Sequence, residues 1–359
     1  MNINKASSML ASLVMLSFLL PACSLVTPFP LSEPGPYDFG TQQTNKFTDP
    51  DRGDRPVNIT VWYPADLPAN APPSDYNFNA PPDRSGAPYP LILSSAKVGS
   101  IFGPHLASHG FVVAGIQGQD SADHWGQWLI DYPLDMLFAL DQIASQPLGE
   151  LDGLIDTDHA GALGYSFDGY TSLALSGARI DPDFYLANCT NVNARNPSPP
   201  EWWIDYLCNM TGGWDEFVDH ARGSMKVSND GLWGPMTDER ILAVMPMAPE
   251  GAWLFGERGL AAVDRPTLII GASADDINIY DLEAAYIFEH LGTPDRAMIT
   301  FVGEDHMMVY SAEPVLRMKH FATAFFGSYL QGQVDFAKYF SKDFISKRDN
   351  LVWGVYKNE

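Results

Sequence analysis

The sequence predicts an α/β fold in which a mainly parallel sheet carries helices on both faces. Three observations predict it. Short apolar runs of strand length alternate with helical stretches along most of the 359 residues. Several runs, such as FVVAGI at 111–116 and ILAVMPM at 241–247, lack polar alternation, as strands covered on both faces require. A serine also falls between one such run and a helix, at the sheet end where this architecture places its sites.

Taken in order, Val57 to Tyr63 puts Val57, Ile59, Val61 and Tyr63 on one face of a strand, and Pro64 is expected to stop it. Leu91-Ile92-Leu93 is a short buried strand, followed by helical residues around His105 to Ser108 and a break at Gly110. After the strand at 111–116, Pro133 is expected to open a helix, because Met136, Ala139, Leu140 and Ile143 repeat at helical spacing. Ala160 to Gly164 is a strand leading to Ser166, and Tyr170 to Ser176 a helix. Strands at 241–247, 267–270 and 297–302 enclose a helix over 281–290, and Met318, Phe321, Ala322 and Phe325 mark a final one. Residues 181–239 break the rhythm with no clear strand and with Trp202, Trp203, Trp214 and Trp233. They read as a lid or pocket wall inserted after the serine's helix; the alternative is a solvent-facing decoration.

The formal charge of −23 excludes nucleic acid as a natural partner, because phosphates would be repelled. Solubility accounts for it; a cationic substrate is the alternative. Residues 1–22 read as a signal peptide, with Lys5 in a positive n-region and an apolar stretch from Met9 to Leu20 too short to span a bilayer. Leu20-Pro21-Ala22-Cys23 resembles a bacterial lipobox, which implies a lipidated Cys23 and a protein anchored in the bacterial cell envelope; cleavage after Ala22 with Cys23 unmodified is the other reading. Residues 23–43 then read as a tether and 44–359 as one domain. In an exported protein the remaining Cys189 and Cys208 are expected to pair, with two separate thiols as the alternative.

The strongest chemical signal is Gly161-Ala162-Leu163-Gly164-Tyr165-Ser166-Phe167-Asp168-Gly169. A serine on a tight strand-to-helix turn presents its hydroxyl clear of the backbone, and Gly164 avoids a collision across that turn. The N–H of Phe167, at a helix start, suits a developing oxyanion. The pattern departs from G-x-S-x-G, since Asp168 takes the last position. A carboxylate in a first helical turn is favoured by the helix dipole, and Asp168 is expected to face away from the site.

A serine hydroxyl needs a base that an acid orients. Asp275 follows the run Thr267 to Ile270, and His306 follows the next strand, giving the order serine, acid, histidine. Asp276 is the reserve acid. His105 and His109 stand four apart but have no acidic third ligand beside them, so they read as structural and no metal site is expected. His124 is a candidate pocket residue, with Trp202 and Trp203. No P-loop, dinucleotide fingerprint or zinc ligand set occurs, so no cofactor is expected.

These segments resemble the bacterial relatives of platelet-activating-factor acetylhydrolase, close to the dienelactone hydrolases among the α/β-hydrolases. The likeness runs from about Asp49 to Phe326, through Asp51-Arg52, Val61-Trp62-Tyr63-Pro64, Leu106 to Val113, Asp135 to Gln142 and Leu173-Ala174-Leu175. It implies an α/β-hydrolase fold, a triad of Ser166, Asp275 and His306, and cleavage of short acyl chains from phospholipids or other small esters. One departure concerns the oxyanion loop, where Ser95-Ala96 stands in place of the family's His-Gly. The N–H of Lys97 remains the expected second oxyanion donor, since a backbone donor does not require a given side chain.

Overall fold

A computed structural model describes residues 28–72, 74–119, 125–146, 148–191, 198–224 and 228–357. The strands are β1 (Asp38–Asp49), β2 (Arg55–Ala65), β3 (Tyr89–Ser95), β4 (Val112–Gln117), β5 (Ile155–Tyr165), β6 (Ile241–Met247), β7 (Thr267–Ala272), β8 (Arg296–Phe301) and β9 (Leu351–Trp353). The helices are α1 (Ala96–Ser108), α2 (Trp125–Ser145), α3 (Phe167–Leu175), α4 (Pro182–Thr190), α5 (Glu201–Leu207), α6 (Trp214–Ser224), α7 (Ala252–Leu260), α8 (Ala284–His290), α9 (Ala312–Leu330) and α10 (Lys342–Ile345). Among the described residues these strands join one sheet in the order β1-β2-β4-β3-β5-β6-β7-β8-β9. Pairing is parallel from β4 to β8 and antiparallel for β1–β2, β2–β4 and β8–β9.

Side chains alternate across the sheet, so each central strand feeds two cores. Ile92, Leu268 and Ile270 face α1 and α9, where they pack with Phe102, Leu106, Phe321 and Phe325. Leu91 and Leu93 face the opposite way onto Met136, Ala139 and Leu140 of α2, and Ile269 joins Leu173, Tyr280 and Ile287. Burying a side chain such as Phe321 or Leu140 contributes about 1.5–3 kcal/mol. The parallel register is what matters for chemistry. It aligns Leu93 with Ala162, Tyr165 with Met247 and Ala272 with Phe301, so the loops that follow β3, β5, β7 and β8 leave one common edge.

Three local expectations are corrected. Pro64 lies inside β2 rather than ending it. The β4 pairing stops at Trp62, and beyond that point this side of β2 meets only the isolated bridge of Ala65 to Pro82, where the Pro64 carbonyl accepts from the Asp83 N–H at 2.9 Å, so the proline's missing N–H interrupts no strand ladder. Pro133 is likewise inside α2 rather than at its start. The carbonyl four residues back, Leu129, loses its helical donor and instead accepts from the Tyr170 hydroxyl at 2.8 Å. Residues 28–43, expected as tether, pack on the body and enter β1. Leu31 N–H donates to His320 Nδ1 (3.0 Å), Gly35 N–H donates to Ser108 Oγ (2.9 Å), and Arg348 donates to the Pro28 carbonyl (2.8 and 3.1 Å). Residues 1–27, including the signal peptide and Cys23, lie outside the described residues.

The described part of the insertion is helical, through α4, α5 and α6. Tyr185, Trp203, Phe217 and Trp233 bury against Tyr170, Trp253 and Phe255, which makes them core rather than decoration. Cys189 and Cys208 form a disulfide, with Cα atoms 5.5 Å apart, joining the end of α4 to the end of α5.

Candidate active site

Ser166 occupies the turn between β5 and α3 with φ 58° and ψ −122°, a backbone region that side-chain-bearing residues rarely adopt. Its N–H is held by the Met247 carbonyl (2.9 Å) on the neighbouring strand. Gly164 is obligatory here: a Cβ on it would lie 1.8 Å from the Asp168 carbonyl oxygen. The turn thus lifts the hydroxyl to the sheet edge where the other loops arrive.

His306 Nε2 lies 2.9 Å from Ser166 Oγ, and His306 Nδ1 lies 2.9 Å from Asp275 Oδ2. Asp275 Oδ1 accepts from the N–H groups of Ile277 (3.0 Å) and Asn278 (2.8 Å), so both carboxylate oxygens are committed. The Asn278 side chain donates in turn to the Ala248 carbonyl (2.9 Å), and the Tyr165 hydroxyl donates to the His306 carbonyl (2.7 Å). These bonds tie the acid and histidine loops to the strands on either side. His306 and Asp275 are buried, whereas the reserve acid Asp276 is exposed and takes no part.

Phe167 begins α3, and Lys97 is in the first turn of α1, so the N–H of each belongs to the donors a helix start leaves without intrahelical partners. Two cavities meet between them. One, of about 220 Å³, is lined by Ser166, His306, Val98, Ile101, Tyr165, Met307, Val309 and Tyr310, together with Lys97 and Asp168. The other, of about 400 Å³, shares Lys97 and Asp168 and extends past Ser95, Gln117, Gly118 and Tyr132. Asp135 also reaches it, but its carboxylate is held by Arg55 at 2.8 Å on both oxygens.

The expectation that Asp168 faces away from the site is not met. It lies on the wall the two cavities share, and its Oδ2 accepts from Ser95 Oγ at 2.6 Å. A neighbouring hydroxyl turned the carboxylate inward, and the dipole preference alone does not choose a direction. Trp203 is corrected too, from pocket residue to buried core, and Trp202 is half exposed and lines neither cavity. No described residue of 181–239 lines either one. His124 lies outside the described residues.

His105 and His109 are structural: their Nε2 atoms meet the carbonyls of Leu31 (3.0 Å) and Glu33 (2.9 Å). Among the described residues no group of three His, Cys, Asp or Glu side chains is arranged to hold a metal ion. Sequence reasoning missed one residue near the site, Glu250. It follows β6 and is buried, and burial, reinforced by the charges of Asp168 and Asp275, pushes its carboxyl up to about 8. The available signal was its position just past the end of an inner parallel strand. A scan of the chain against protein-family models finds no match, and a search of curated proteins finds none similar.

Proposed function

We propose that this chain is a serine hydrolase of the α/β-hydrolase fold that cleaves carboxylic esters through an acyl-enzyme. The observation that carries the reading is the unbroken relay from Ser166 Oγ through His306 to Asp275, two links of 2.9 Å at the exit of three parallel strands. Ser166 attacks the ester carbonyl carbon while His306 Nε2 takes its proton. Asp275 accepts from Nδ1–H, which fixes the tautomer and offsets the charge formed on the ring. The N–H groups of Phe167 and Lys97 receive the oxyanion. His306 returns the proton to the departing alkoxide, then activates water to release the acid.

The apolar lining beside Ser166, with Val98, Ile101 and Val309, supports a short acyl group, as in short-chain or phospholipid-type esters. The anchor suggested by Leu20 to Cys23 would place the protein in a bacterial envelope. A second reading, a binding protein that kept the fold without activity, is favoured by the Asp168 carboxylate on the cavity wall, where it opposes a negative intermediate. Labelling with a fluorophosphonate and hydrolysis of p-nitrophenyl esters of increasing chain length separate the two. The hydrolase reading expects wild-type labelling and turnover, both abolished in Ser166→Ala, with Asp275→Asn slower by roughly 10⁴-fold. An unlabelled wild type would leave the binding protein.

A further inference from the structure

We infer that the hydrogen bond between Ser95 and Asp168 is a clasp that holds the two oxyanion donors in register, which makes Asp168 a positioning residue for the ester-cleaving centre. The inference rests on the reading of Ser166 as nucleophile. The two donors belong to separate elements, Lys97 to the first turn of α1 and Phe167 to the start of α3. Their strands β3 and β5 pair only as far as Leu93 and Ala162, so no backbone ladder joins the chain ends that carry the donors. Side chains continue the stitching. Ser94 Oγ donates to the Leu163 carbonyl at 2.9 Å, and one residue on, Ser95 Oγ donates to Asp168 Oδ2 at 2.6 Å. The same Ser95 oxygen accepts from Val98 N–H at 3.2 Å, capping the helix that presents Lys97. Asp168 directly follows Phe167. One short, charge-assisted hydrogen bond therefore spans both donors, from two residues before Lys97 to one residue after Phe167.

The first-turn dipole explains why an acid is tolerated at 168, and it would be served equally by a carboxylate turned to solvent. It does not explain the serine opposite. Ser95, which stands where the resembled family's oxyanion loop has His, and Asp168, which takes the last position of G-x-S-x-G, are each other's partners. The arrangement has an electrostatic cost, a carboxylate near a developing oxyanion, and the hydroxyl proton offsets part of it.

The experiment uses the purified protein with a short p-nitrophenyl ester and a trifluoromethyl ketone, whose hemiketal adduct calls on the oxyanion donors. Displacing a donor by a fraction of an ångström to an ångström is expected to lower kcat roughly 10- to 100-fold in Asp168→Ala, with KM little changed. The inhibition constant of the ketone should rise in the same proportion. Ser95→Ala also removes the cap of α1, so the informative comparison is the pair: Ser95→Ala/Asp168→Ala should be no slower than the slower single variant. Asp168→Asn, which keeps an acceptor and loses the charge, and Ser95→Thr, which keeps the hydroxyl, should each recover most of the rate lost in the corresponding alanine variant. Asp168→Ala at wild-type kcat, additive losses in the double variant, or Asp168→Asn as slow as Asp168→Ala would overturn the clasp while leaving the hydrolase reading intact. Wild-type protein that neither labels nor hydrolyses would overturn the reading, and the clasp's catalytic role with it.

Discussion

The Tyr170 hydroxyl donates to the Leu129 carbonyl at 2.8 Å, and this carbonyl is the one that Pro133 strips of its helical donor. A proline inside α2 is thereby matched by a tyrosine from α3, locking the helix that flanks the larger cavity to the helix that follows Ser166. Tyr170 is fully buried and its ring stacks on Phe255, with centroids 4.9 Å apart.

Tyr170→Phe should therefore lower stability by about 1–3 kcal/mol, since the ring stays and a buried carbonyl loses its partner. Chemical denaturation of the two proteins measures it. A variant as stable as wild type would mean that the carbonyl finds another donor.

Stability should pass through a maximum near pH 6.5. Burial holds His105 and His320 down to about 3, so the unfolded chain takes up their protons first. Their contribution is complete above about 6.5 and is lost as pH falls toward 3. Glu250 acts in the opposite sense: its contribution is complete below the ordinary carboxyl range and is lost as pH rises through about 8. Each group changes stability by up to about 1.4 kcal/mol per pH unit in its window. Glu250→Gln should flatten a Tm-against-pH curve above about 6.5, steepen its rise between about 4.5 and 6.5, and leave it unchanged below that. Parallel curves for variant and wild type would refute the assignment.

The Cys189–Cys208 bond closes a segment of α4 and α5 whose buried aromatic side chains pack against the body. Reduction, or Cys189→Ser/Cys208→Ser, should cost roughly 3 kcal/mol in the chain-entropy account. Intact mass under non-reducing alkylation should find no free thiol at either position, and two alkylated thiols in fresh protein would exclude the bond.

Cys23→Ser should move the protein from the membrane fraction to a soluble or unprocessed form. Each buried acyl CH₂ contributes about 0.8 kcal/mol to attachment, so a multiply acylated cysteine leaves little protein free. Unchanged fractionation would refute lipidation at Cys23.

The central strands were legible because their apolar runs lack polar interruption, and the relay because Ser166, Asp275 and His306 each follow such a run. The edges were not. β1 reads DFGTQQTNKFTD, too polar for a strand signal, and its order comes from pairing with β2 and from the bridge of Thr41 to Phe78. The spatial placement of β4 outside β3 also leaves no mark in linear sequence. Pro64 and Pro133 misled for one reason: a proline breaks an element only where its N–H had a partner to lose and no other donor replaces it. Trp203 and Asp168 were misplaced because residue type does not fix direction. Buried neighbours took Trp203 into the core, and Ser95 turned Asp168 inward.

The anchoring of Pro28, Leu31 and Gly35 to the body has a consequence for where the protein can work. If Cys23 carries lipid, only the chain from Cys23 to Pro28 separates bilayer from body, a reach of at most roughly 17 Å when fully drawn out. That is a mooring shorter than the body is wide. Such a protein cannot patrol the space beyond its membrane or swing to an opposing surface. On the ester-hydrolase reading, substrate would have to arrive within the thin layer of solvent against the lipid, and the encounter rate would follow its concentration there rather than in bulk.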